Sequence, residues 1–212
     1  MSKEELEAKY WDETLKAGKQ PASVYAFCQH HGLPEAEFYQ HFSSFYSIEG
    51  AYWKSLVTHT IATLENDQDA QGYSAQQKLL AFYYTFFEVV LKNRSRLLTR
   101  FPKGVSPGKN GCLNGFNDEF QKFATQLLAQ AREEGAVNSC DGRLTELQEH
   151  GLYAQLRTLI NFYRQDSSEN FQDTDAFIEK SVKFAFDAAR QPLFESGVDL
   201  LRFTLPRVLG KF

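Results

Sequence analysis

The chain has 212 residues, 42% of them hydrophobic and 15% aromatic, which is enough to bury a core in one domain or two small ones. A net charge of −4 gives no general attraction to nucleic acid or to an acidic membrane. No basic-then-apolar leader and no run of about 18 apolar residues is present, so secretion and membrane spanning are not indicated and a cytoplasmic home is expected. Nineteen Phe and ten Tyr against one Met predict cores filled by rings, while Cys28, Cys112 and Cys140, odd in number and widely spaced, predict reduced thiols.

In chain order, Ser2 to Ala17 carries Leu6, Tyr10, Trp11 and Leu15 on one helical face and stops at Gly18. Residues 22–48 read as two short helices around a turn at His31-Gly32-Leu33. Val24, Phe27, Cys28, Leu33, Phe38, Tyr39 and Phe42 fall at the i, i+3, i+4 spacing of a packed face. Ser47 is the expected N-cap of a helix running to about Leu64. After a polar break at 66–73, Ser74 and Gln77 form a capping box for a helix to about Asn93, so apolar that it is expected to be central and buried. Leu97, Leu98 and Phe101 mark a short helix.

The stretch from Pro102 to Gly115 reads as a loop. Its Gly104 to Asn110 segment is one residue short of a phosphate-binding loop, has Asn110 where a Ser or Thr belongs, and follows no strand. Amphipathic helices then run from Leu113 to a stop at Gly135, from the turn at 138–142 to about Arg164, and from Thr174 to about Arg190. The tail 193–212 is apolar with scattered cations; it can close over the core, pair across a dimer or lie on a lipid surface. The fold class is therefore all-α, and two short helices around a tight turn make a helix-turn-helix.

Ser23-Val24, Phe27-Cys28, Gly32-Leu33, Phe38-Tyr39, His41-Phe42 and Ile48 fall on the pattern of the TetR family of ligand-responsive repressors, which this chain resembles. The resemblance implies a helix-turn-helix head over residues 1–64 and a helical ligand-binding and dimerisation domain over 65–212. It implies DNA contacts by Ser23, Ala36, Tyr39, Gln40 and His41, with Lys16, Lys19 or Lys54 reaching phosphates from the periphery. It also implies a homodimer through the helices near 143–164 and 174–190. An apolar cavity is expected to be lined by Phe82, Tyr83, Phe86, Phe87, Val90, Phe116, Phe120, Phe123, Leu127 and Tyr153.

The reading helix departs from the family where the family grips phosphate. Glu37 stands at its Thr position and Phe45 at its Lys position, and Pro34-Glu35 stand where Ser and Lys are usual. No Lys or Arg occurs between Gln20 and Trp53, and residues 1–60 hold five lysines against eight acids. Phosphate neutralisation dominates affinity for DNA, so this composition also fits a second class, resembling TetR-fold lipid-binding proteins of ubiquinone biosynthesis that have left DNA behind. Partners are accordingly duplex DNA, an apolar small molecule or lipid, and a membrane surface through 193–212.

None of the five histidines stands in a metal-collecting spacing, and no Ser or Cys sits in a nucleophile elbow. A non-enzymatic protein without cofactor or metal is expected.

Overall fold

A computed structural model describes residues 1–103, 111–138 and 142–190. Every regular element among them is helical. The chain divides into two compact units, one of residues 1–66 with 85–120, the other of 67–84 with 121 onward.

The first unit begins with α1 (Lys3–Ala17). Ser2 caps it reciprocally with Glu5, and Gly18 ends it at φ 67°, a conformation that costs glycine nothing. Next come α2 (Val24–His31), α3 (Glu35–His41) and α4 (Phe45–Glu65). The expected N-cap of α4 moves: Ser44 is the cap and Ser47 its reciprocal third residue, each side chain bonding the other's backbone N–H at 3.2 Å. With Ser44 as cap, Ser47 falls at the third helical position and can return the bond, whereas a cap at Ser47 would have Gly50 there with no side chain to do so.

That core is aromatic. Phe45 stacks on Tyr10 at 5.1 Å and meets Phe27 and Phe38 edge-on, while Trp11 meets Trp53 edge-on at 5.7 Å. A guanidinium from α6 (Arg94–Arg100), that of Arg96, lies 5.0 Å over Trp11 and 4.7 Å over Tyr52. Full burial of each such ring contributes about 1.5–3 kcal/mol.

One charge is sealed into this unit. Glu49 of α4 is 1% exposed and accepts from the Tyr10 hydroxyl and from Arg100 Nε, both at 2.5 Å on Oε1. Burial, then Glu49 itself, pushes the Tyr10 phenol well above its ordinary range, so it stays a donor. Beside Glu49, Gly50 lets the turn at Gly111–Leu113 approach closely: a Cβ there would stand 3.1 Å from the Cys112 carbonyl oxygen.

The second unit holds the start of α5 (Ala75–Leu91), most of α7 (Asn114–Glu133), α8 (Gly142–Gln165) and α9 (Gln172–Arg190). The capping box expected before α5 is present, Ser74 and Gln77 bonding reciprocally at 2.9 and 3.3 Å. Gly135, at φ 65°, closes α7 as expected.

Helix α9 starts at Gln172, two residues before the expected Thr174, because its cap comes from outside the local pattern. Asp166 accepts from both the Thr174 N–H (2.9 Å) and its hydroxyl (2.6 Å), and from Ser168. The connection passes through Asn170 and Phe171, both at positive φ; the Phe171 ring lies 4.9 Å from that of Tyr163. The Gly104 to Asn110 segment, the residues 139–141 and the tail 193–212 lie outside the described residues.

Two measurements test these anchors. Removing one partner of a buried ion pair leaves the other uncompensated, so Glu49→Ala is expected to lower unfolding free energy by about 3 kcal/mol in urea titration. The double change Glu49→Leu with Arg100→Leu is expected to recover much of that loss.

For Asp166, burial works to raise the carboxyl pKa but hydrogen bonds from Ser168 and Thr174 outweigh it, holding it at about 2 against an ordinary 3.8. A depressed folded value means the stabilisation is complete above the ordinary value and is lost as pH falls from there toward 2. Asp166→Ala is therefore expected to cost about 1 kcal/mol at neutral pH, with the gap to the parent protein closing over that acid window.

Candidate nucleic-acid interface and apolar cavity

A tight turn at Gly32 joins α2 to α3. Gly32 takes φ 65°, and the N–H of Leu33 returns to the Cys28 carbonyl at 3.0 Å, ending α2 without a dangling carbonyl there. Phe27, Cys28, Leu33, Phe38 and Phe42 are buried, which fixes how α3 is turned.

The opposite side of α3 carries Ala36, Tyr39 and Gln40, all exposed and spaced i, i+3, i+4, so three of the expected DNA-contact residues share one stripe. Tyr39, which the apolar spacing also put on the packed face, is 53% exposed. The other two expected contacts already have partners. Ser23 is exposed, but its hydroxyl accepts from the Ala26 N–H at 3.0 Å as the α2 cap; His41 is half-buried, with Nε2 3.2 Å from the Met1 carbonyl oxygen.

The charges around the stripe differ from the linear count. Glu35 is exposed, but Glu37 accepts from the Met1 ammonium, whose pKa this bond raises. Lys3, distant in sequence, stands 5.3 Å over the Phe42 ring and so brings a cation to the end of α3. Of the peripheral lysines, Lys16 is paired with Asp12 at 2.8 Å and Lys54 with Glu119 at 3.3 Å. Burial, then Glu35 and Glu37, pushes the Cys28 thiol up, away from the thiolate a nucleophile needs. A separate polar space of about 560 Å³ in this unit is lined by Ser44, Tyr46, Ser47, Glu49, Arg100, Pro102, Gly111 and Cys112.

In the second unit an apolar cavity of about 350 Å³ opens between α8 and α9. Leu128, Val137, Leu152 and Phe186 form buried walls; Phe184, 73% exposed, and Leu147, 41% exposed, stand at the rim. The space exists because small residues face one another there, Gly151 and Ala154 on α8 with Ala185, Ala188 and Ala189 on α9. Its polar spot is a short relay. Tyr83 donates to Gln155 Oε1 at 3.2 Å, and Gln155 donates to the Ser181 hydroxyl at 3.0 Å; Gln155 and Ser181 both line the cavity. Burial holds the Tyr83 phenol far above its ordinary range, so it remains a donor.

The residues expected to line a ligand pocket are placed elsewhere. In the second unit Phe82, Tyr83, Leu127 and Tyr153 are buried, and Phe123 is half-buried and stacked on Phe82 at 4.5 Å. In the first unit Phe86, Phe87, Val90, Phe116 and Phe120 are buried, with Phe86 and Phe116 edge-on at 6.2 Å. None of these lines the α8–α9 cavity, although Tyr83 reaches its wall through Gln155. Among the described residues, Phe82 stacks on Phe123 and Phe86 meets Phe116 edge-on, while the α8–α9 cavity falls where side chains are small.

These features define an all-α protein with an N-terminal helix-turn-helix followed by a helical C-terminal region. A family model described as "Tetracyclin repressor-like, C-terminal domain" matches residues 78–204, more than half of the chain. The protein belongs to the TetR-like family of regulators. No curated protein matches the chain. Among the described residues, no helix is long and apolar enough to cross a membrane.

Proposed function

We propose that this protein is a ligand-responsive transcriptional regulator of the TetR type, dividing its work between a DNA-reading head over 1–64 and a sensing and dimerising domain over 65–212. The observation that carries the reading is the exposed Ala36, Tyr39, Gln40 stripe on α3 at the head of a chain whose remainder matches the repressor-like C-terminal model. In that role α3 lies in the major groove, Tyr39 and Gln40 meet the duplex, and Ser23 and His41 support from the flanks.

The head offers few free cations, so contact with DNA is weak and only mildly salt-dependent. Fluorescence anisotropy with random duplex DNA at low salt is expected to show binding whose log–log salt slope corresponds to about two to four phosphates. Tyr39→Ala is expected to weaken it by about tenfold, or 1.4 kcal/mol. Absence of binding at micromolar protein and low salt would refute the DNA-reading role.

The sensed molecule is proposed to be apolar, with one polar group that meets Gln155 and Ser181 in the α8–α9 cavity, whose volume suits a small ligand. Tyr83, which donates to Gln155, and the stacked Phe82 and Phe123 of the same unit are the packed surroundings that its binding would disturb. The outer faces of α8 and α9, with Phe184, Phe162 and Leu147 exposed, support a homodimer in which a second copy covers these side chains. Sedimentation is expected to show a dimer that Phe184→Arg converts to monomer.

The apolar cavity together with the acidic α3 also supports a second reading, a TetR-fold lipid carrier that does not bind DNA. If DNA binding is absent, organic extraction of the purified protein is expected to release an acyl or isoprenoid chain.

A further inference from the structure

Fold geometry brings together three potential metal ligands that the sequence keeps apart. Glu13 lies in the last turn but one of α1, and His30 and His31 close α2; their ligand atoms all lie within 4.8 Å of one another. His31 Nε2 stands 2.9 Å from Glu13 Oε2, and the two imidazoles tilt against each other with centroids 4.8 Å apart. The His31 ring is also held by Phe27, centroid to centroid 4.5 Å, so one ligand is pre-oriented by the core. The His31 and Glu13 side chains are only 13% and 25% exposed, while His30 faces solvent and is able to swing.

We propose that Glu13, His30 and His31 form a three-ligand site for a borderline divalent transition-metal ion, with Zn²⁺ the best fit. Two imidazole nitrogens and one carboxylate oxygen are the donor set that such ions prefer over the all-oxygen sets of calcium or magnesium. Zinc bonds of about 2.0–2.1 Å in a tetrahedron require ligand atoms about 3.3 Å apart. The His31–Glu13 pair already meets that spacing, and the widest separation needs to close by about 1.5 Å, within reach of an exposed histidine rotating about its χ angles.

The surroundings favour a cation. The site lies beside the C-terminal end of α2, where helix carbonyls leave partial negative charge. Helix α2 brings no cation, since no Lys or Arg occurs from Gln20 to Trp53; on α1, Lys16 is engaged with Asp12 at 2.8 Å and Lys9 stands one turn before Glu13. Three protein ligands leave a fourth position for water, as in open zinc sites. A bound ion ties the end of α1 to the end of α2, and so braces the helix-turn-helix from behind without depending on whether α3 reads DNA.

The test uses the untagged full-length protein, stripped with chelator and titrated with ZnCl₂ in a calorimeter, with Co²⁺ absorption as a second readout. Saturable binding of about one Zn²⁺ per chain is expected, weakened by about tenfold or more in His30→Ala and in Glu13→Gln. The Co²⁺ spectrum is expected to show weak visible bands without an intense thiolate charge-transfer band. His30 is exposed, so its replacement leaves the fold intact and decides the matter even if Glu13→Gln does not fold. No saturable binding at millimolar Zn²⁺, parental affinity in His30→Ala, or a thiolate band placing the ion on cysteines would each overturn the site.

Discussion

A carboxylate taken out of water must be matched, and Glu49 is matched from two directions. Its Oε1 receives the Tyr10 hydroxyl of α1 and the Arg100 guanidinium of α6, while α4 carries it between them. Each helix could find apolar neighbours in several rotations, but only one rotation of each satisfies this oxygen. A buried ion pair adds little net stability compared with well-packed hydrophobic side chains; what it adds in this unit is a fixed angular setting for α1, α4 and α6. The aromatic packing of Tyr10, Trp11, Phe45 and Trp53 then fills the space which that setting leaves.

The same constraint bears on how a head of this kind can be regulated. Helix α4 follows the helix-turn-helix directly, and it is held to α6 by the Glu49–Arg100 charge pair and by Arg96 over the Tyr52 ring rather than by interchangeable methyl groups. A shift of α6 therefore draws α4 with it or leaves the buried Glu49 carboxylate without its cation, held by the Tyr10 hydroxyl alone. Were α3 to read DNA as proposed, its scarcity of cations would make such a coupling more consequential, since a contact of few phosphates is released by a small change in the presented surface.

Local chemistry was legible in the sequence, and juxtaposition was not. The caps at Gly18, Ser74 and Gly135, the α2–α3 turn at Gly32 and the all-helical order follow from residues within one turn of each other. Ser47 is the expected α4 cap, but Ser44 is the serine whose third helical residue, Ser47, can complete a capping box. Asp166 escaped notice as the α9 cap because it works from eight residues before Thr174. Glu49 reads as one polar residue on a mostly apolar helix, its partners lying 39 and 51 positions away. The expected pocket rests on rings; the α8–α9 cavity instead lies between Gly151 and Ala154 on one helix and Ala185, Ala188 and Ala189 on the other, small residues whose juxtaposition no local pattern displays. Lys3 over Phe42 and Glu13 beside His31 were hidden for the same reason, being created by the return of α1 against the pair that follows it.

Both tryptophans of the chain, Trp11 and Trp53, lie in the first compact unit, edge-on to one another and almost wholly buried. Intrinsic emission excited at the red edge of indole absorption therefore reports the state of that unit alone. Loss of helix in the unit that holds α8 and α9 leaves no direct indole signal, whereas far-ultraviolet dichroism registers both. The molecule thus carries its own two-channel probe. Divergence between the two signals during denaturation separates the unfolding of one unit from that of the other without any label.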